Sequence, residues 1–343
     1  MRTPLFLLAG IVASLSSLSG APAAATGPCT TATAACTEWV ALAGGPSRSL
    51  IYRTHALDTR NETVRRALIM VHGTNRNADH YFTTATTAAF LGGALDDTVV
   101  ISPRIASSEG SCHDVLEANE VSWSCTGDSW RSGGSSPKNP ALTSFDFVDQ
   151  ILRKLANRST FPNIRAIVVA GHSAGGQFVS RYEMANRVHD TLGVPVTYVV
   201  ANPSSYAWPD ATRPMPIDDA APENARGGWD VETPHVKFSY GPFTAAAGCA
   251  NYDKWPAGLE NRTTGYTAKM SDEQLKKQLV SRPTTYLLGQ VDTLPLGGFD
   301  SSCPAMAQGA TRRARGEAFV KYTNERMGAK QAIQIVPECG HND

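Results

Sequence analysis

Net charge is the first thing this sequence lacks: 31 Lys and Arg are balanced by 31 Asp and Glu across 343 residues. A balanced chain has no overall field to steer it toward nucleic acid or an anionic membrane, so a neutral or weakly charged substrate is the default. Long apolar runs are missing as well. Beyond the N-terminal segment no window holds the roughly 18 to 20 apolar residues that spanning a bilayer requires, so no membrane anchor is expected. There is no C-x-x-C spacing and no paired His cluster among the seven Cys and eight His, so neither a metal site nor a cofactor is expected. No internal repeat is visible, which removes solenoids and propellers.

What is present begins with a leader. Met1, Arg2, an apolar run from Leu5 to Leu15 and the small residues Ala21-Pro22-Ala23-Ala24-Ala25 read as a secretory signal over 1–25,. The expectation is a soluble, exported monomer whose catalytic domain is a single unit over 26–343. All seven cysteines (Cys29, Cys36, Cys112, Cys125, Cys249, Cys303, Cys339) fall in that exported part, where disulfides persist. Cys29 with Cys36 and Cys112 with Cys125 are the expected local bridges. Cys249, Cys303 and Cys339 allow one further pair, and the sequence does not choose it.

Apolar runs alternate with helical patterns along the chain. Residues 66–73, 98–104, 164–171, 196–203, 284–292 and 332–341 read as buried strands, and 144–157, 177–190 and 312–326 as helices,. That alternation predicts an α/β fold, a mostly parallel central sheet with helices on both faces, with leading antiparallel strands near the N-terminus. The Pro/Gly/Trp-rich stretches 105–140 and 205–265 read as elaborate loops.

One junction carries chemistry. Gly171-His172-Ser173-Ala174-Gly175 lies between an apolar strand and a helical pattern, the context in which G-x-S-x-G forms a strained turn that exposes a nucleophilic serine. Such a turn also aims the N–H of Ala174 toward an oxyanion forming on an attacked carbonyl. A serine hydroxyl needs a base, and the base needs a carboxylate. His341 follows the last strand in "VPECGH", and Asp292 ends "TYLLGQVD". The predicted triad is therefore Ser173, Asp292 and His341, with Asp210 as the reserve acid. His72 reads as a buttress of the loop that follows it and His172 as a packing or hydrogen-bonding neighbour of the serine, and His189 and His235 sit where neither reaches the hydroxyl.

At this point the chain resembles the α/β-hydrolase family over nearly all of the exported part. Within it, the chain is similar to secreted esterases related to polyhydroxyalkanoate depolymerases and feruloyl esterases. The residues carrying the resemblance are "VHGTNRNADHYF", "GHSAGGQ", "ANPSSYAW", "GQVDT" and the terminal "GH". It implies a second oxyanion donor after the "HG" strand, the backbone N–H of Thr74 or Asn75. The sequence departs from the family in having only Asn342 and Asp343 after His341. A bridge from Cys339 to Cys303 or Cys249 is expected to hold the base in place.

Aromatic residues suggest the substrate. Trp123 and Trp130, then Tyr206 and Trp208, follow predicted strands, and ligands in open α/β sheets bind at the carboxyl ends of strands. The four are expected to rim a cleft for aromatic, acyl or polymeric esters; the bland alternative is packing beneath loops. The reading is thus a carboxylic-ester hydrolase, with a serine peptidase or amidase, or a catalytically silent binding module, as alternatives.

Overall fold

The computed structural model describes residues 27–216 and 238–341. The expected leader at 1–25, and His235, lie outside them. The described residues form ten strands: β1 (Thr37–Ala41), β2 (Arg48–Arg53), β3 (Arg66–Val71), β4 (Thr98–Pro103), β5 (Ala166–His172), β6 (Val196–Ala201), β7 (Thr212–Pro216), β8 (Phe238–Pro242), β9 (Thr284–Gly289) and β10 (Ala332–Val336). The helices are α1 (Ala78–Leu91), α2 (Ser144–Ala156), α3 (Ala174–Ala185), α4 (Asp272–Ser281), the short α5 (Cys303–Met306) and α6 (Arg312–Met327).

Eight strands form one sheet in the order β1-β2-β4-β3-β5-β6-β9-β10. β1 and β2 run antiparallel and enter against β4, and every later neighbour pair is parallel. The parallel strands read as apolar runs because helices cover both faces; all six residues of β4 are buried,. Chain order reverses direction between β3 and β5, so the loops leaving those two strands diverge and open a crevice at their carboxyl ends,.

Helices α1 and α4 and the hairpin β7–β8 were not evident in the sequence. α1 is rich in Thr and Ala and lacks a sharp apolar stripe, so periodicity does not mark it. α3 begins at Ala174 and ends at Ala185, and His189 occupies a separate 3₁₀ turn. Every residue of α3 is buried, because the helix is enclosed by β5, β6, α4 and the 3₁₀ segment Thr126–Ser132. Its polar side chains must therefore find partners inside the protein. Glu183 accepts from Thr284 and, at 2.9 Å, from the Tyr286 hydroxyl.

Three disulfides join Cys29–Cys36, Cys112–Cys125 and Cys249–Cys303. The third corrects the expectation that Cys339 bridges to Cys303 or Cys249, since those two are joined to each other. The Cys339 thiol instead lies 3.4 Å from the carbonyl oxygen of Gly340. No helix among the described residues is long and apolar enough to cross a membrane.

Candidate active site

Thr74, Ser173, Asp292 and His341 each follow the carboxyl end of a parallel strand. Ser173 follows β5 and is the N-cap of α3, with φ 58° and ψ −118°. A non-glycine residue in that region costs on the order of 1–3 kcal/mol and persists only where its surroundings impose it. Here the Ser173 N–H donates to Ala201 O of β6 at 2.9 Å, and Ser173 O accepts from Gln177 N at 3.0 Å. The flanking glycines answer close approach: a Cβ on Gly171 would lie 2.2 Å from Gly175 O, and one on Gly175 would lie 2.2 Å from Val71 O. Strand β3, the strained turn and α3 can pack this tightly only without those side chains.

The hydroxyl meets a relay. Ser173 Oγ is 3.0 Å from His341 Nε2, and His341 Nδ1 is 2.9 Å from Asp292 Oδ2. Because Asp292 can only accept while ionised, Nδ1 carries the proton and Nε2 is the acceptor facing the serine. Ala174 holds the first position of α3, whose N–H has no intrahelical acceptor,. Thr74 follows Gly73, and a Cβ on Gly73 would lie 3.7 Å from Ser173 Cβ, so the turn after β3 abuts the serine. The reserve acid Asp210 is elsewhere, accepting from the Tyr322 hydroxyl at 2.6 Å.

Two groups hold this constellation, and sequence reasoning missed the first of them. Arg312, at the start of α6, places Nη1 3.2 Å from Asp292 Oδ1, donates from Nε to Ser204 Oγ at 2.9 Å, and donates from Nη2 to the carbonyls of Leu296 and Gly297 at 2.8 Å each. The pair is buried. Arg312 thus orients the carboxylate and anchors the loop 293–300, whose Gly298 lies beside Thr74 and whose Leu296 is exposed. An arginine at a helix start reads from sequence as a solvated charge, so no signal marked it.

The second group is His172. Its Nε2 is 2.5 Å from His341 O, and its Nδ1 is 2.9 Å from the Tyr81 hydroxyl. A carbonyl only accepts, so Nε2 carries the proton and Nδ1 accepts from Tyr81. Burial first, and the adjacent His341 second, push His172 down to about 4, so it is neutral at ordinary pH. Asn202 Nδ2 to Gly340 O at 3.2 Å and Val291 N to Cys339 O at 3.0 Å complete the attachment of the segment that carries the base. His72 is wholly buried, with Nδ1 on Gly73 O at 2.9 Å and Nε2 accepting from Ile105 N at 3.1 Å. It braces the turn after β3, and burial holds it at about 4.

The expected aromatic cleft is corrected. Trp123, Trp130, Tyr206 and Trp208 are all buried in the main core. Trp123 stacks on Phe147 with centroids 6.2 Å apart, and Trp130 packs on His72 and Phe178. Tyr206 stacks on Phe319 at 4.6 Å, and Trp208 packs on Tyr322 at 5.0 Å, both beneath α6. The loops that carry them fold inward because a ring of this size gains more from burial than from rimming solvent.

The profile described as "Alpha/beta hydrolase family" matches residues 68–343. Among solved structures, LpqC, a poly(3-hydroxybutyrate) depolymerase from Bordetella parapertussis, superposes with TM-score 0.57 at 18% identity, covering 87% of this chain and 80% of that one. Poly(aspartic acid) hydrolase-1 from Sphingomonas sp. KT-1 superposes with TM-score 0.56 at 22% identity, covering 89% and 92%. At those identities the likeness concerns the fold. A search of the curated proteins found no match.

Proposed function

Because this chain belongs to the α/β-hydrolase family, we propose that it is a serine hydrolase that cleaves carboxylic esters through an acyl-enzyme on Ser173. The observation that carries the reading is the unbroken chain from Ser173 Oγ to His341 to Asp292, with steps of 3.0 and 2.9 Å. His341 Nε2 takes the serine proton as Oγ attacks the ester carbonyl, and Asp292 steadies the imidazolium that forms. The backbone N–H groups of Ala174 and Thr74 receive the developing oxyanion. His341 then hands its proton to the departing alcohol. Water, deprotonated by the same nitrogen, releases the acid and restores the serine. Activity outside the cytoplasm is supported by the three disulfides,.

The experiment is labelling and turnover with the same preparation. A fluorophosphonate should modify Ser173 alone, and p-nitrophenyl acetate should be hydrolysed far faster than the matching p-nitroanilide. Labelling with the anilide preferred would assign an amidase. Absence of labelling would overturn the reading.

A further inference from the structure

A cavity of about 390 Å³ lies along α3, and its wall includes Gln177, Arg181, Ser205, Lys254, Trp255 and Asp300. Ser173, Gln177 and Arg181 succeed one another every four residues, so they share one face of the helix. Gln177 and Arg181, which the cavity touches, therefore stand about 6 and 12 Å along the helix axis from Ser173,.

Arg181 is 2% exposed. Its Nε donates to Pro256 O at 3.1 Å and its Nη2 to Ser205 Oγ at 3.0 Å, which fixes the plane of the guanidinium and leaves Nη1 to the cavity. Neither Arg181 nor the half-buried Lys254 has an ion pair among the described residues. Among the described residues the one carboxylate in the wall is Asp300, whose Oδ1 accepts from Ser302 N at 3.0 Å. Arg131 adds a further cation behind Gln177, donating to its Oε1 at 2.5 Å. Burial, and then the charge of Arg131, bring Arg181 down to about 9, which still leaves it charged at neutral pH. Asp300 is a counter-charge at a distance, with no hydrogen bond to Arg181, and it also acts on Arg131 and Arg315; the held guanidinium therefore still offers a planar fork suited to a second carboxylate.

We propose that this cavity is an anion subsite of the ester-cleaving site, in which Arg181, assisted by Lys254, receives a carboxylate carried by the acyl or alcohol part of the substrate. The preferred esters are then acidic ones, although the protein as a whole carries no net charge. This rests on the ester-hydrolase reading.

The full-length enzyme is assayed on p-nitrophenyl monoesters of dicarboxylic acids from succinate to sebacate, each against the neutral alkanoate of equal length. For the alcohol side, acetyl esters of ω-hydroxyalkanoates are compared with acetyl esters of plain alkanols. The charged member of at least one pair is expected to show about tenfold higher kcat/KM. Arg181→Gln should abolish that ratio and Arg181→Lys keep part of it. Lys254→Gln, at a half-exposed wall position, should lower the ratio severalfold and serves if Arg181→Gln does not fold. Equal or better turnover of the neutral member in every pair, or a ratio that survives Arg181→Gln, overturns the subsite while leaving the ester reading intact. If no ester is cleaved, the ester reading falls. Calorimetric titration of the Ser173→Ala protein with the free dicarboxylates then decides the subsite. Binding lost on adding Arg181→Gln supports it, and no binding, or binding unchanged by that substitution, overturns it.

Discussion

The ring of His172 donates to the backbone carbonyl of His341 across 2.5 Å, so the residue before the proposed nucleophile holds the main chain of the proposed base. This bond, backed by the Tyr81 hydroxyl, supplies the restraint that a bridge from Cys339 was expected to give. His172→Leu should lower kcat about 10- to 100-fold with KM little changed, since the base is displaced rather than the substrate. His172→Gln, which keeps a donor, should lie in between; equal rates for all three proteins would remove the positioning role.

The same histidine, together with His72, sets an acid limit. Both are held at about 4 against an ordinary 6.5, so the unfolded chain binds more protons than the native one between those values. Their stabilising contribution is present above 6.5 and is lost as pH falls toward 4. Denaturant midpoints measured from pH 7 to 4 should fall steadily, and less so for His172→Gln.

Ser173→Ala should fold normally and lose on the order of 10⁴ or more in kcat, and Asp292→Asn should lose on the order of 10⁴ by presenting the wrong tautomer. Residual activity of a tenth in either would remove that residue from the relay. Asp210→Asn should be nearly silent in the same assay, because that carboxylate faces Tyr322.

Arg312→Gln should lower kcat, because it frees both the Asp292 carboxylate and the loop held through Leu296 and Gly297. Breaking a buried pair typically costs about 3–5 kcal/mol of stability, so Tm must fall too. Arg312→Lys retains the charge without the fork and should rescue Tm more than kcat. Equal rescue of both would make the residue merely structural.

Glu183 works in the opposite direction to the histidines. Burial raises it from 4.5 to about 8, so the native state holds a proton that the unfolded chain has lost between those values. Stability from this group therefore declines as pH rises through that window, by up to roughly 1.4 kcal/mol per pH unit. Glu183→Gln should flatten the alkaline side of the stability profile; an unchanged slope would show that the acid is ionised in the fold.

The inner parallel strands were legible because a strand covered on both faces is largely apolar, as β4, β5 and β6 are, while the edge strand β10 was legible from its Ile and Val residues although most of it is exposed,. Ser173, Asp292 and His341 were legible as positions because each follows such a run. What was not legible depends on long-range packing. Whether Trp208 faces solvent or α6 is decided by Phe319 and Tyr322, more than a hundred residues later in the sequence. Likewise nothing near Arg312 announces that its partner is Asp292. The composition also does not reveal that Arg131, Arg181 and Lys254 gather around Gln177.

Strand β10 has a consequence for how the molecule fails. Among the described residues it is the last strand of the sheet, hydrogen-bonded to β9 alone, and three of its five residues are exposed. His341 hangs from its far end, whereas Ser173 and Asp292 rise from strands deeper in the sheet. Such an edge opens at lower free energy than the body of a protein. In rising denaturant, hydrolysis should therefore vanish before the tryptophan fluorescence of the buried core changes, and hydrogen exchange should be fastest in β10. The enzyme would be silenced by fraying at one margin while its fold is still intact.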